Sequence, residues 1–176
     1  IGSLYVINRK KSLNYLAHYY FNSLQPRSYN HDFHLGAALP DLLSAYDRQL
    51  RVHLSRVELK ISDSNNAPLW LGVRNHLLTD AFFHKSEFFK QSYETIRPIL
   101  IRTLPPELNV RLFFLGHITV EMLLDHWLLK NNPSLAGQFY HALQPIDFDR
   151  TRVTLESFFQ VPLDRFDYFM NKFMTL

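Results

Sequence analysis

Two stretches of this sequence are apolar nearly all the way round a helix, yet each carries a titratable side chain at every fourth position. In Gly72-Val-Arg-Asn-His-Leu-Leu-Thr-Asp-Ala-Phe-Phe-His84 these are His76, Asp80 and His84. In Arg111-Leu-Phe-Phe-Leu-Gly-His-Ile-Thr-Val-Glu-Met-Leu-Leu-Asp-His-Trp-Leu-Leu129 they are His117, Glu121 and Asp125. At about 100° per residue, positions i, i+4 and i+8 fall within roughly 80° of one another. A helix apolar all round is normally buried, so both stripes are expected to point inward, where an isolated charge is costly. A divalent ion offsets that cost, and the i, i+4 spacing lets two side chains grip one ion. The alternative is a buried network in which the stripes satisfy each other, His to carboxylate, with no ion. His126 lies about 180° from His117 on the same helix, with Asp125 between them.

Two such helices demand a helical surrounding, and the rest of the chain reads accordingly. Asn14 to Leu24 forms a helix closed by Gln25-Pro26, and Arg27 to Leu35 is a polar loop. A helix begins near Pro40, proline being favoured in a first turn. It runs through Leu59 on the face made by Leu42, Leu43, Tyr46, Leu50, Leu54 and Val57. Ser62 to Pro68 is a second loop, Leu69 to Phe89 a long helix, and Tyr93 to Thr103 a shorter one kinked at Pro98. Glu107 to Lys130 is the most strongly helical segment; two further helical regions follow at 134–143 and 150–173, the last interrupted around Pro162. No segment alternates with period two. The expectation is an all-α, single-domain helical bundle over residues 1–176, with the helices of His76 and His117 packed together at its centre.

Composition narrows the chemistry. The 176 residues contain no cysteine, which excludes disulfides, thiolate zinc sites and a cysteine nucleophile. Five glycines leave little room for a phosphate loop, and 15 Phe with 9 Tyr predict a bulky aromatic interior. The net charge of +3 and a pI near 9.2 permit an acidic partner without requiring nucleic acid. No uninterrupted apolar run reaches the ~18 residues of a membrane span. The opening IGSLYVINRKKS places its charges after its apolar patch, the wrong order for a secretory signal. A cytoplasmic location is the expectation. His31, Asp32 and His34 read as a solvated loop, and His53 and His141 as structural or surface residues.

Four segments, taken in order, resemble the acyl carrier protein phosphodiesterase family, a branch of the HD-type metallohydrolases. Leu13-Asn-Tyr-Leu-Ala-His18 is similar to its Met-Asn-Phe-Leu-Ala-His opening, and Leu35-Gly-Ala-Ala-Leu-Pro-Asp41 resembles its Gly-Asn-Leu-Leu-Ala-Asp segment. Gly72 to Asp80 resembles Gly-Ile-x-x-His-Arg-x-Ile-Asp, and Val120-Glu-Met-Leu-Leu-Asp-His126 resembles Asp-x-x-x-Asp-His. The similarity spans residues 13–130, and residues 1–12 precede the family's usual start. Leu77 stands where the family has Arg, Glu121 where it has Asp, and the Phe-Thr-Asp-x-His that follows in the family is not preserved, although His84 lies nearby.

The resemblance implies an HD-like helical fold and phosphodiester hydrolysis with a manganese-type divalent ion. His and Asp donors also suit iron or zinc. It implies Asp41, His76, Asp80 and Asp125 as ligands converging on one ion, with His18 and His126 next. Glu121, His84 and His117 would orient a ligand or shuttle a proton. Arg74 is a candidate phosphate contact. The implied partner is acyl carrier protein, the acidic carrier of fatty acid biosynthesis, from whose serine 4′-phosphopantetheine would be released. Arg48, Arg51, Arg56 and Lys60, on one expected helix, would receive it. Two other functions fit the same residues: a metallo-phosphodiesterase or phosphatase acting on a small molecule, nucleotide or lipid head group, and a non-catalytic helical protein with a structural His/Asp network.

Overall fold

A computed structural model describes residues 14–25, 29–62, 64–105 and 111–175. Among them are nine α-helices, one short 3-10 turn and no strand, so the chain is all-α. The expected extension at residues 1–12 and the expected helix start at Glu107 lie outside the described residues.

The first helices set the frame. Helix α1 (Tyr15–Ser23) leads into α2 (His31–Tyr46), which starts nine residues before the position expected from Pro40. Asn30 is the cause: its extended backbone and its side-chain oxygen, accepting from the Phe33 N–H at 3.0 Å, close the helix start. Pro40 therefore sits inside α2. The helix also ends early. Asp47 turns extended and its carboxylate accepts from Gln49 N–H at 2.9 Å, an Asx turn that competes with helix. Leu50 is still buried, now from a loop, and α3 (Leu54–Ile61) contributes Val57 to the core. The apolar spacing that suggested one helix thus spans a helix, a loop and a second helix.

After a 3-10 turn at Ser64–Asn66, α4 (Ala67–Phe83) carries Pro68 in its first turn. It stops before the expected Phe89, because Ser86 caps α5 (Glu87–Thr103) by accepting from Phe89 N–H at 3.1 Å. Pro98 lies inside α5 on its exposed side, where water can serve the carbonyl that proline leaves without its helical donor. Then come α6 (Leu112–Asn131), α7 (Leu135–Leu143), α8 (Phe148–Phe159) and α9 (Phe166–Met174).

The most extensive packing is α2 on α4. It is close because Gly36 and Gly72 face each other: a Cβ on Gly36 would collide with the Leu69 carbonyl, and one on Gly72 with the Phe33 carbonyl. The two backbones touch there, as only glycines allow. Around the crossing Leu35, Leu39, Leu42, Leu43 and Val73 are fully buried. The aromatic part of the core sits in the C-terminal helices, where Phe139, Phe158 and Phe166 are enclosed. Arg150 ties α8 to α2 through both Asp32 oxygens, at 2.7 and 2.8 Å.

Helix α6 departs from the expectation of a central, fully wrapped helix. It packs mainly on α5, not along α4, and Phe113, Met122, Leu123 and Trp127 stay exposed. By length and composition it is apolar enough to cross a membrane, the one such helix among the described residues. Its buried residues are Gly116, Val120, Leu128 and one charged side chain, Glu121, which enters the site described next with His117 beside it.

Candidate metal centre

The Gly36–Gly72 crossing decides what meets what. His76 lies one turn beyond Gly72 on α4, and Ala37 follows Gly36 on α2, so the His76 ring is delivered to the α2 backbone. Its Nδ1 donates to the Ala37 carbonyl at 2.8 Å. A carbonyl only accepts, so the hydrogen on Nδ1 is fixed, and in the neutral ring Nε2 presents a lone pair. That lone pair faces two carboxylates: Asp80 Oδ2 at 3.4 Å and Asp41 Oδ1 at 3.9 Å. The ring is 2% exposed. Lone pair against lone pair in a buried place is stable only with a positive charge between them, either a proton on Nε2 or a cation. Burial opposes the proton, but the bond to Asp80 and the charges of Asp41 and Asp80 prevail and hold the His76 pKa above its ordinary value.

His18, from α1, completes the group. Its ring stacks on His76 with centroids 4.0 Å apart, and its Nε2 meets Asp80 Oδ1 at 3.1 Å. It is also buried, and its Nδ1 has no hydrogen-bond partner among the described residues. Burial, then the neighbouring His76 charge, push its pKa down against the pull of Asp80. Asp80 itself is held well below the usual carboxylate range: burial opposes this, but the two histidines outweigh it. One ligand atom each from His18, His76 and Asp80 lies within 4.8 Å of the others. Two imidazoles and a carboxylate are a donor set for manganese, iron or zinc.

A second group sits one turn further along α4. His84 at the α4 C-cap and His117 on α6 both direct Nε2 to Glu121 Oε1, at 3.1 and 2.9 Å. Their rings lie 4.2 Å apart, and Phe89 flanks both, at 5.0 and 5.1 Å. These three ligand atoms also lie within 4.8 Å of one another. Burial would raise the Glu121 pKa, but His117 and His84 bring it below its ordinary value. The two groups feel each other: the Asp80 charge acts on Glu121, and the Glu121 charge on His18.

The expected ligands are thus regrouped. His76 and Asp80 lie within ligand reach of each other, with Asp41 3.9 Å from His76, and the third member of the group is His18 where Asp125 is expected. The Asp125 carboxylate is turned to α1, where it accepts from Ala17 N–H at 3.0 Å. Its pKa is pushed up to about 7, by burial first and then by the charges of Asp41 and Glu121 against the Ala17 bond. His126 is exposed on α6, outside both groups, as its helical phase requires. Glu121, His84 and His117 form their own triad in place of a support shell around the first. Arg74 pairs with Glu58 at 2.7 Å on the surface; two residues before His76, it points about 200° away from the site. The expected basic helix is divided: Arg48 and Arg51 lie in the loop after α2, while Arg56 on α3 donates to the Phe158 carbonyl and covers the Phe158 ring at 4.4 Å.

The Ala37 carbonyl, which orients His76, belongs to the site although no side-chain pattern announces it. The sequence signal for it is the pair of glycines, one in each motif, that brings two backbones together. The chain matches no protein-family model, no curated protein and no solved structure.

Proposed function

We propose that this protein is a divalent-metal-dependent phosphodiester hydrolase whose substrate is 4′-phosphopantetheine esterified to the serine of acyl carrier protein. The observation that carries the metal is the His76 lone pair, aimed with its tautomer fixed at two carboxylates and stacked against a second buried imidazole. His18, His76 and Asp80 would hold the ion, with Asp41 against His76; manganese is the first metal to try. When bound, such an ion acts as a Lewis acid toward a phosphoryl oxygen and makes water a stronger acid. The protein's own part is to fix donor geometry, through the Ala37 carbonyl, and to leave one side open.

That open side supports a substrate carried on a larger molecule. Asp80, His84 and His117 keep about a quarter of their side-chain surface exposed, at 29, 28 and 26%. Two clefts of the described structure, about 320 Å³ beside Lys60 and Trp70 and about 250 Å³ beside Asn30 and Arg150, are lined by neither triad. A shallow rim suits an ester presented on a protein surface better than a free small molecule, which pockets normally enclose.

The test is incubation of holo acyl carrier protein with the enzyme and Mn2+, followed by intact-mass measurement. Loss of the phosphopantetheine mass supports the proposal. Turnover of bis-p-nitrophenyl phosphate alone moves the substrate to a small-molecule diester. Inactivity on both, with metal shown to be absent from protein equilibrated with Mn2+, Fe2+ or Zn2+, leaves a structural His/carboxylate network.

A further inference from the structure

Building on the metal-dependent reading above, we infer that His84, His117 and Glu121 form a second divalent-cation site, distinct from the one at His18, His76 and Asp80. The two share no residue. Asp80 and His84 are four positions apart on α4, an axial step of about 6 Å.

The geometry accommodates an ion. At metal–ligand distances of about 2.1 Å, adjacent ligand atoms lie roughly 3.0 Å apart in octahedral and 3.4 Å apart in tetrahedral arrangement. The Glu121 oxygen stands 3.1 Å from one Nε2 and 2.9 Å from the other. Both nitrogens converge on the same oxygen, from two different helices. The i, i+4 pair His117 and Glu121 supplies the grip from α6, and His84 closes it from the end of α4. Phe89 forms an apolar wall behind both rings, so the donors cannot swing away on that side. The opposite side is the exposed rim, which leaves positions for water or substrate.

Charge favours the same answer. Asp41, Asp80, Glu121 and Asp125 gather four carboxylates in one region, and they act on one another. Among the described residues, Asp80 and Glu121 form ion pairs with histidines alone. An ion held by His18, His76 and Asp80 answers the Asp80 charge, and one held by His84, His117 and Glu121 would answer the Glu121 charge. Two ions facing one rim are also the arrangement that clamps both the attacking and the leaving oxygen of a phosphoryl group.

The experiment is metal stoichiometry of the full chain. Metal-depleted protein is dialysed against Mn2+ and the bound metal counted by elemental analysis, with calorimetry for affinities. Wild type is expected to bind two equivalents. Glu121→Gln, close to isosteric, and His84→Asn, at a half-exposed helix end, are each expected to bind one. The second equivalent should weaken by more than the ~10–100-fold that even an outer-shell change costs. His76→Asn should retain the His84 equivalent and lose the other. Circular dichroism verifies that each variant remains helical. One equivalent in wild type, unchanged by Glu121→Gln and His84→Asn, overturns the second site and leaves the first reading standing. Two equivalents that survive both substitutions overturn it as well. No metal in wild type overturns both.

Discussion

His76 has almost no freedom: its Nδ1 is tied to the α2 backbone and its face is covered by His18. Asp80 reaches both rings, with a separate oxygen for each. Asp80→Ala is therefore expected to abolish metal-dependent hydrolysis, by a factor of about 10³ or more, while the helical circular dichroism is kept. Asp125 is different in kind. Its carboxyl titrates near 7 in the fold but near 4 when unfolded, so between those values the native state holds the extra proton. Raising the pH through that window favours the unfolded chain, and the loss is complete above about 7. Asp125→Asn keeps an oxygen for the Ala17 N–H and removes the charge. In the metal-free protein it should raise the melting temperature at pH 8, by no more than about 4 kcal/mol of stability, and change it little at pH 5. A larger gain at pH 5 would contradict this account.

At the scale of the helices, α2 and α4 depend on two residues without side chains. A Cβ at either glycine meets backbone, which cannot rotate aside. Gly72→Ala is expected to destabilise the protein by about 3 kcal/mol or more, read by denaturant midpoint, despite the better helix propensity of alanine. The stripes of His and carboxylate on α4 and α6 are legible in the sequence because helical phase is a local property. The distribution of those residues into two groups is not legible, because it depends on where α1, α5 and α6 meet α4. Helix ends are misread for a related reason. The caps at Asn30 and Ser86 are single hydrogen bonds, whereas apolar spacing runs on through a loop such as the one that buries Leu50. His18, which the resemblance implies as a ligand, is buried where α1 packs on α2, α6 and α7, and its ring reaches His76 and Asp80 of α4.

For the whole molecule, the all-helical class follows from the absence of period-two segments and from the need to cover α4. The apolar exterior of α6 does not follow, since hydrophobicity alone cannot say which side of a helix its neighbours leave open. Bound ions should stabilise the entire fold, because their ligands come from four helices, α1, α2, α4 and α6. Ion at about 100 times its dissociation constant contributes about 2.7 kcal/mol for each site. Chelation of one equivalent should therefore lower the melting temperature by roughly 5–10 °C for a chain of this size, measured by calorimetry with and without EDTA. An unchanged melting temperature would mean that the triads hold nothing.

The contact of α2 with α4 at Gly36 and Gly72 acts as a ratchet tooth. For α4 to slide by one turn, a residue with a side chain would have to enter a gap that has no room for a methyl group. The assembly has no intermediate setting between seated and separated. Admission and release of the proposed cation would then fall to Asp80, His84 and His117, which reach the rim, while His76 and the carbonyl behind it stay fixed. In amide hydrogen exchange, the segments around 33–41 and 69–80 should consequently open together, as one unit, at the slowest rate in the protein.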